Sequence, residues 1–412
     1  MPRPTADTPM DRDRLPGADR GAWPPREPGA PFAAIALLNG RGEQRLVSAR
    51  LYAALATIVG GELPAAWLTA RTLGAAVLPA AVERGSELAA DLAWRQALRR
   101  TPPPPARVLL ANDFRLAFAA LARAPGADWI VALEATPAML RRDPPLGAAL
   151  VKGSVARLRE RRFRTLTRRV GAWLPVSARC RSSLVEDYGV AAERCFVTRS
   201  PQPHLVGRSH RKRRPTPPYR FLFVGDEFRA SGGDLVVAAC AHLGSALCTA
   251  TIVSSDPSLA AATLPPHVRL IQGVADRGAI RPWYRDADLF VLPASQDGYP
   301  HAICESFAEG TPILACYTGN AAELIAESRA GWALAPKPSA DALATAMLDA
   351  VADGDAHARR AANALEFAHV RLGPATLTKL LRQCLLLPPL HKPAQPVAPA
   401  AGVAATDRPP PH

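Results

Sequence analysis

An α/β chain built on open parallel sheets is what this sequence predicts, on three observations. Leu289–Leu292 is a short, wholly apolar run after two acids, the mark of a strand buried on both faces. Turn-forming residues at 295–298 and Pro300, which suits a first helical turn, lead into a helix with Ile303 and Phe307 on one face. Gly310 is placed to end that helix, and a second apolar run follows at 312–316. Strand, loop, helix and strand form a βαβ unit, whose loop lies at the carboxyl end of a strand, where open α/β sheets bind ligands. The same alternation recurs earlier in the chain, on both sides of a proline- and arginine-rich stretch at 204–218 that reads as an interdomain linker.

Composition sets the bounds. A chain of 412 residues suggests two or three domains, and 48% hydrophobic with 21% charged residues is ordinary for a soluble globular protein. The net charge of +14 favours anionic partners, although abundant Arg beside abundant Ala also fits a compositional bias. Seven Cys occur without CxxC or His/Cys spacing, so reduced cytosolic thiols and no metal site are expected. Residues 1–31 lack an apolar core and do not form a signal peptide. The most apolar long window, 51–70, holds Glu62, Pro64 and a Gly pair, which points to a buried helix and loop rather than a membrane span. Low-complexity tails at 1–31 and 388–412 are expected to be disordered.

The first domain is expected over 32–203. Residues 32–38 read as its first strand, 39–42 as a turn and 46–59 as a helix. Val108–Ala111 and 129–133 read as strands around a helix at 114–124, which makes this half Rossmann-like. Residues 154–171 carry seven Arg with Val155, Leu158, Phe163 and Leu166 between them. Two readings fit: a basic amphipathic helix lying on an anionic membrane, or a surface helix with a solvated Arg face. Nucleic-acid binding is not expected, because aromatic residues are not interleaved with the basic ones.

The second domain is expected over 219–387. Tyr219–Val224 is a clear strand ending at Gly225, followed by residues 226–234 and a helix to about 243. Strand, Gly-bearing loop and helix is the layout that cradles phosphate. Further strands are read at 249–253 and 268–272, with Gly273 after the second. Residues 279–285 lead back to the 286–326 stretch, 340–352 and 356–369 are helical by composition, and a last helix is read at 375–387.

At this residue detail, 286–326 resembles the donor-binding motif of GT-B glycosyltransferases, in particular the large retaining family 4. Ala287-Asp288-Leu-Phe-Val-Leu-Pro-Ala-Ser matches the opening of that motif. Asp297 takes the place of the first Glu of its E-x7-E pair and Glu305 is the second, while Gly319-Asn-Ala-Ala-Glu323-Leu-Ile matches its close. The segment from Trp173 through Tyr188-Gly-Val to Glu193-Arg is similar to the end of the family's first domain. Arg199-Ser-Pro-Gln-Pro then stands where an Asn-Gly-Val-Asp-like turn is usual. The loop 226–234 resembles the family's phosphate loop, but the usual Arg-Lys pair falls at Ala230 and Ser231, which leaves Arg229 as its one basic residue. Relatives often carry a His at the end of a first-domain strand, and the corresponding place here offers Glu134.

The resemblance implies two Rossmann-like domains facing across a cleft, and a retaining transferase that uses a nucleotide-diphosphate sugar with no metal or resident cofactor. It places Glu305 on the ribose hydroxyls, and Asp297 on the sugar and the charge that develops at its anomeric carbon. Backbone N–H groups from Gly298 through Tyr299 and Pro300 to His301 would hold the diphosphate, and Arg229 would neutralise it. Gly225, Gly273 and Glu323 complete the expected donor site. The acceptor would be a glycan or lipid-linked molecule, and the protein cytoplasmic or peripheral at an inner membrane. A second reading is a scaffold on a degenerate fold of the same kind, favoured by the missing Arg-Lys pair.

Overall fold

The computed structural model describes residues 34–39, 65–68, 108–111, 114–121, 128–142, 153–202, 214–259, 264–274, 277–294 and 300–387. The expectations for the tails, for the turn at 39–42, for the helix at 46–59, for most of the linker, and for Asp297, Gly298 and Tyr299 lie outside the described residues.

Two parallel sheets organise the molecule. The first contains β1 (Ala34–Asn39), β2 (Ala65–Leu68), β3 (Val108–Ala111), β4 (Asp128–Leu133) and β5 (Val170–Pro175), in the order β2-β1-β3-β4-β5. The strand at 65–68 falls inside the window read as helix and loop, so that reading is corrected there: a four-residue edge strand is too short to show a period of its own. Helices α1 (Phe114–Leu121), α2 (Pro137–Arg142), α3 (Gly153–Thr167) and α4 (Ala178–Glu186) accompany this sheet. Phe163 fastens α3: it is fully buried against Phe114, Trp173 and Tyr188, with ring centroids 5.3, 5.5 and 4.7 Å away. With Phe163 and Leu166 inward, Arg157, Arg161, Arg164 and Arg168 fall on the exposed face, as the helical period requires.

The second sheet runs β11-β10-β9-β6-β7-β8, from β6 (Tyr219–Val224), β7 (Cys248–Val253), β8 (Val268–Ile271), β9 (Leu289–Leu292), β10 (Ile313–Cys316) and β11 (Gly331–Leu334). Its helices are α5 (Gly233–Leu243), α6 (Arg281–Asp286), α7 (His301–Ala308), α8 (Gly319–Ser328), α9 (Ala340–Ala352), α10 (Gly354–Phe367) and α11 (Pro374–Leu386). The chain winds outward in both directions from β6 and β9, so the strand order reverses between these two neighbours. Asp288, buried just before β9, fixes that pairing by accepting the N–H of Arg220 at 2.9 Å. Gly310 ends α7 with φ +70, the left-handed conformation that glycine adopts without a Cβ penalty.

The domains meet at the carboxyl ends of their strands. Val176, just past β5, is buried in the apolar core of the second domain. Helix α11 crosses back to pack on β5, and the Gln202 N–H donates to the Leu372 carbonyl at 2.6 Å. All seven Cys are buried and none forms a disulfide. Among the described residues no helix is long and apolar enough to cross a membrane.

Candidate active site

The reversal between β6 and β9 sets two helix N-termini side by side. After β6, residues 225–232 fold back so that α5 begins against the end of β9. This approach is possible because Gly232 has no side chain: its φ is +81, and a Cβ there would stand 2.7 Å from Pro293 Cγ. Gly233 is equally confined, with the Phe228 ring in the space a Cβ would take. Gly225 is tight as well, its Cβ direction ending 3.0 Å from the Phe223 ring. Gly232 and Gly233 are therefore steric necessities of a loop that lies directly over the strand ends. Gly273, after β8, has φ +70 and open space where its Cβ would be.

After β9 the description resumes at Pro300, the N-cap of α7, which makes no side-chain cap. The Ile303 N–H donates to the Pro300 carbonyl at 3.1 Å, and the positive end of the α7 dipole lies at the strand ends. Glu305 stands one turn on, buried, with the Tyr284 hydroxyl donating to Oε2 at 3.2 Å. Tyr284 is itself fully buried on α6, and α6 is tied to the end of α7 by Arg281 and Arg285 on the buried Glu309, at 2.6 and 3.0 Å. The carboxylate that sequence assigned to ribose is therefore a braced group beneath the helix start.

His301, whose backbone N–H was expected on the diphosphate, turns its buried ring toward the first domain. Its Nδ1 lies 2.8 Å from Ser200 Oγ and its Nε2 3.6 Å from Glu134 Oε1. Glu134, at the end of β4, is thereby a first-domain carboxylate that reaches the start of α7.

Glu323, expected on the donor, is engaged by the first domain. Its two carboxylate oxygens accept the N–H groups of Ala178 and Arg179 at 2.7 and 3.0 Å, and it pairs with Arg199. Burial pushes this carboxyl up, but the Arg199 guanidinium and those two N–H groups outweigh it and hold the group below the usual carboxylate range. Arg199 also pairs with Glu327, which takes Arg371 at 2.9 Å on its other oxygen.

Arg229 is exposed on the phosphate loop. Asp256, past the end of β7, is held below the ordinary carboxylate range chiefly by the Ser258 hydroxyl and N–H, with a smaller contribution from Arg229. Asp226 accepts the Ser255 N–H at 3.1 Å, which ties the loop to the same segment.

Of the residues named from sequence, Gly225, Gly273, Pro300, His301 and Glu305 lie near the strand ends of one sheet. Sequence reasoning did not find Ser200, and it read Arg199 only as a departure from a family turn. That departure was the one available signal.

Residues 218–353 match the family model described as glycosyl transferases group 1. The fold is that of the GT-B glycosyltransferases. Sucrose-phosphate synthase from Thermosynechococcus elongatus superposes with a TM-score of 0.65 at 15% identity, covering 85% of this chain and 98% of its own. Anabaena HepE, solved with UDP and glucose, gives 0.58 at 14% identity over 86% and 99%. WaaG, a glycosyltransferase involved in lipopolysaccharide biosynthesis, gives 0.57 at 17% identity over 84% and 98%. No curated protein sequence matches the chain.

Proposed function

We propose that this chain, with its GT-B fold and the group 1 match over its second domain, is a retaining glycosyltransferase. It would move a sugar, of the hexosyl type, from a nucleotide-diphosphate sugar to a glycan or lipid-linked acceptor. The observation that carries this reading is the paired helix starts at β6 and β9, brought together by the Gly232–Pro293 contact with Glu305 buried beneath one of them. Free N–H groups and the positive end of the helix dipole stabilise a diphosphate, and a braced carboxylate beside them accepts ribose hydroxyls.

In this scheme the nucleotide sits in the second domain, between Gly225, Gly273 and the first turn of α7. Asp297, with Gly298 and Tyr299 in the same loop, would meet the sugar, and its carboxylate would stabilise positive charge at the anomeric carbon. The departing diphosphate takes the proton of the acceptor hydroxyl, so the scheme calls on no metal or bound cofactor. The acceptor approaches from the first domain, where Glu134 stands at the strand end.

The exposed Arg face of α3 supports a place at the anionic inner surface of a membrane, in the cytoplasm. HepE was solved with UDP-glucose, so that is the first donor to try. Screening the purified protein against a panel of nucleotide sugars, for thermal stabilisation and donor hydrolysis, tests the reading. Stabilisation with turnover supports it, and neither across the panel refutes it.

One observation favours the alternative of a catalytically degenerate scaffold in polysaccharide assembly. The single cation of the phosphate loop is exposed and within reach of Asp256, rather than being one of a pair devoted to a diphosphate. That alternative predicts stabilisation by nucleotide with no turnover.

A further inference from the structure

The segment that leaves the first domain does more than connect. Residues 195–198 run alongside β5, with the Phe196 and Thr198 N–H groups donating to the carbonyls of Trp173 and Pro175 at 2.9 Å each. At Arg199 the backbone turns left-handed, with φ +60, a conformation strained for a residue with a Cβ. A structure keeps such a residue where its surroundings hold it in place. Here the turn sends two successive side chains into the second domain. Buried Arg199 reaches Glu323 and Glu327 on α8, and buried Ser200 reaches His301 at the start of α7.

From the other side, Glu323 answers by accepting the first two N–H groups of α4. A carboxylate of one domain thereby sits at the positive end of a first-domain helix. Beside the apolar contacts of Val176 and α11, Arg199, Glu323, Glu327 and Arg371 line an open hollow of about 970 Å³. Interdomain interfaces within a chain resemble transient protein–protein interfaces, so relative motion of the domains is the default unless specific contacts oppose it.

We propose that Arg199 and Ser200 are positioning residues: together they form a strap that sets α7 and α8 against the first domain. The residues of the donor site on α7 then stand at a fixed distance from Glu134 and the acceptor side. The effect on turnover rests on the transferase reading, whereas the strap itself is a property of the fold.

Small-angle scattering of the ligand-free protein tests the strap without any assumption about substrate. Arg199→Ala with Ser200→Ala is expected to increase the radius of gyration and broaden the distance distribution, while each domain keeps its circular dichroism. Glu327→Gln, a milder change on the other domain, is expected to shift the curve in the same direction. Profiles that superpose on wild type would overturn the proposal.

Kinetics then separate positioning from a merely structural role. In Ser200→Ala, affinity for UDP, which the second domain supplies, is expected to stay within about threefold of wild type. Turnover of UDP-glucose should fall by about tenfold or more, because misplacement of order an ångström costs on that scale. Ser200→Thr, which keeps the hydroxyl, should restore turnover. Equal losses of affinity and turnover, or no rescue by Thr, would remove the positioning role. If wild type neither binds UDP nor hydrolyses UDP-glucose, the transferase reading with that donor fails, and the scattering comparison still decides the strap.

Discussion

A Cβ built on Gly232 would stand 2.7 Å from Cγ of Pro293, so the start of α5 and the end of β9 touch at a point where no larger residue fits. Gly232 also has φ +81. Gly232→Ala therefore meets two penalties: the left-handed backbone, about 1–2 kcal/mol, and displacement of the loop from the strand ends. Gly244, at the far end of the same helix, has φ +73 but open space around it. Gly244→Ala should cost backbone strain alone. In denaturant titrations both variants are expected to lose stability. Only Gly232→Ala should also lose nucleotide affinity. Equal affinities in the two variants would show that the contact with Pro293 does not shape the site.

Glu305 gives a second test. If its carboxylate holds ribose through charge-assisted hydrogen bonds, Glu305→Gln should weaken binding of a nucleoside diphosphate by about 1.5–3 kcal/mol. Tyr284→Phe removes the hydroxyl that donates to Glu305 and keeps the ring in its buried place. It should cost less, about 1 kcal/mol, by loosening the carboxylate. Calorimetric titration measures both. Wild-type affinity in a folded Glu305→Gln protein would refute the ribose assignment.

The legibility of these features follows from how local their causes are. The strands β6 and β9 were readable to the residue because each holds a run of four buried apolar residues, 221–224 and 289–292, flanked by turn-forming residues. The end of α7 was readable because glycine is the residue that most readily adopts the left-handed conformation of Gly310. By contrast β11 has a mixed burial pattern over four residues and a Gly at its start, so no periodic signal marked it. The partners of His301 and Glu323 were illegible for another reason. His301 meets Ser200 across 101 positions and Glu323 meets Ala178 across 145, and nothing in the local pattern of either helix specifies the other domain. Asp297 remains a sequence assignment, since it lies outside the described residues.

The domain seam should respond to acid with a definite sign. The folded-state pKa of Glu323 lies below the ordinary glutamate value of 4.5, so its ion pair and two N–H bonds contribute stability that is fully present above that value. The contribution is lost as pH falls below 4.5, through the folded-state pKa. Glu323→Gln removes the titrating group. The stability difference between wild type and variant is therefore expected to be flat above about pH 5.5 and to shrink below pH 4.5. A difference that grows on acidification would contradict the ion pair.

The Arg face of α3 makes a prediction about surfaces. Arg141 and Arg164 both pair with Glu160, at 2.6 and 2.9 Å, while Arg157, Arg161 and Arg168 make no ion pair among the described residues. These five Arg line a hollow of about 640 Å³. Vesicle flotation should show binding that needs anionic lipid and fades as salt shortens the screening length to about 8 Å or less. Changing Arg157, Arg161 and Arg168 together to Gln should abolish it without unfolding, since none is buried. Equal binding to neutral and anionic vesicles, or to neither, would leave a solvated helix face.

The phosphate loop decides between enzyme and scaffold. Removing a donor that stabilises charge in the transition state typically costs about 10²–10³ in rate. Arg229 is the one basic side chain in 226–234, so an enzyme that relies on it should be crippled by Arg229→Ala. Ala230 and Ser231 are both partly exposed on the turn, where longer side chains have room. Ala230→Arg with Ser231→Lys therefore installs the missing pair without disturbing the core, and should tighten binding of a nucleoside diphosphate whichever reading holds. Turnover should rise only if the rest of the site is competent. The expected result is measurable donor hydrolysis or transfer by wild type, lost in Arg229→Ala and increased in the double variant. An inert wild type, together with a double variant that binds nucleotide tightly and is equally inert, would retire the transferase reading and leave the scaffold.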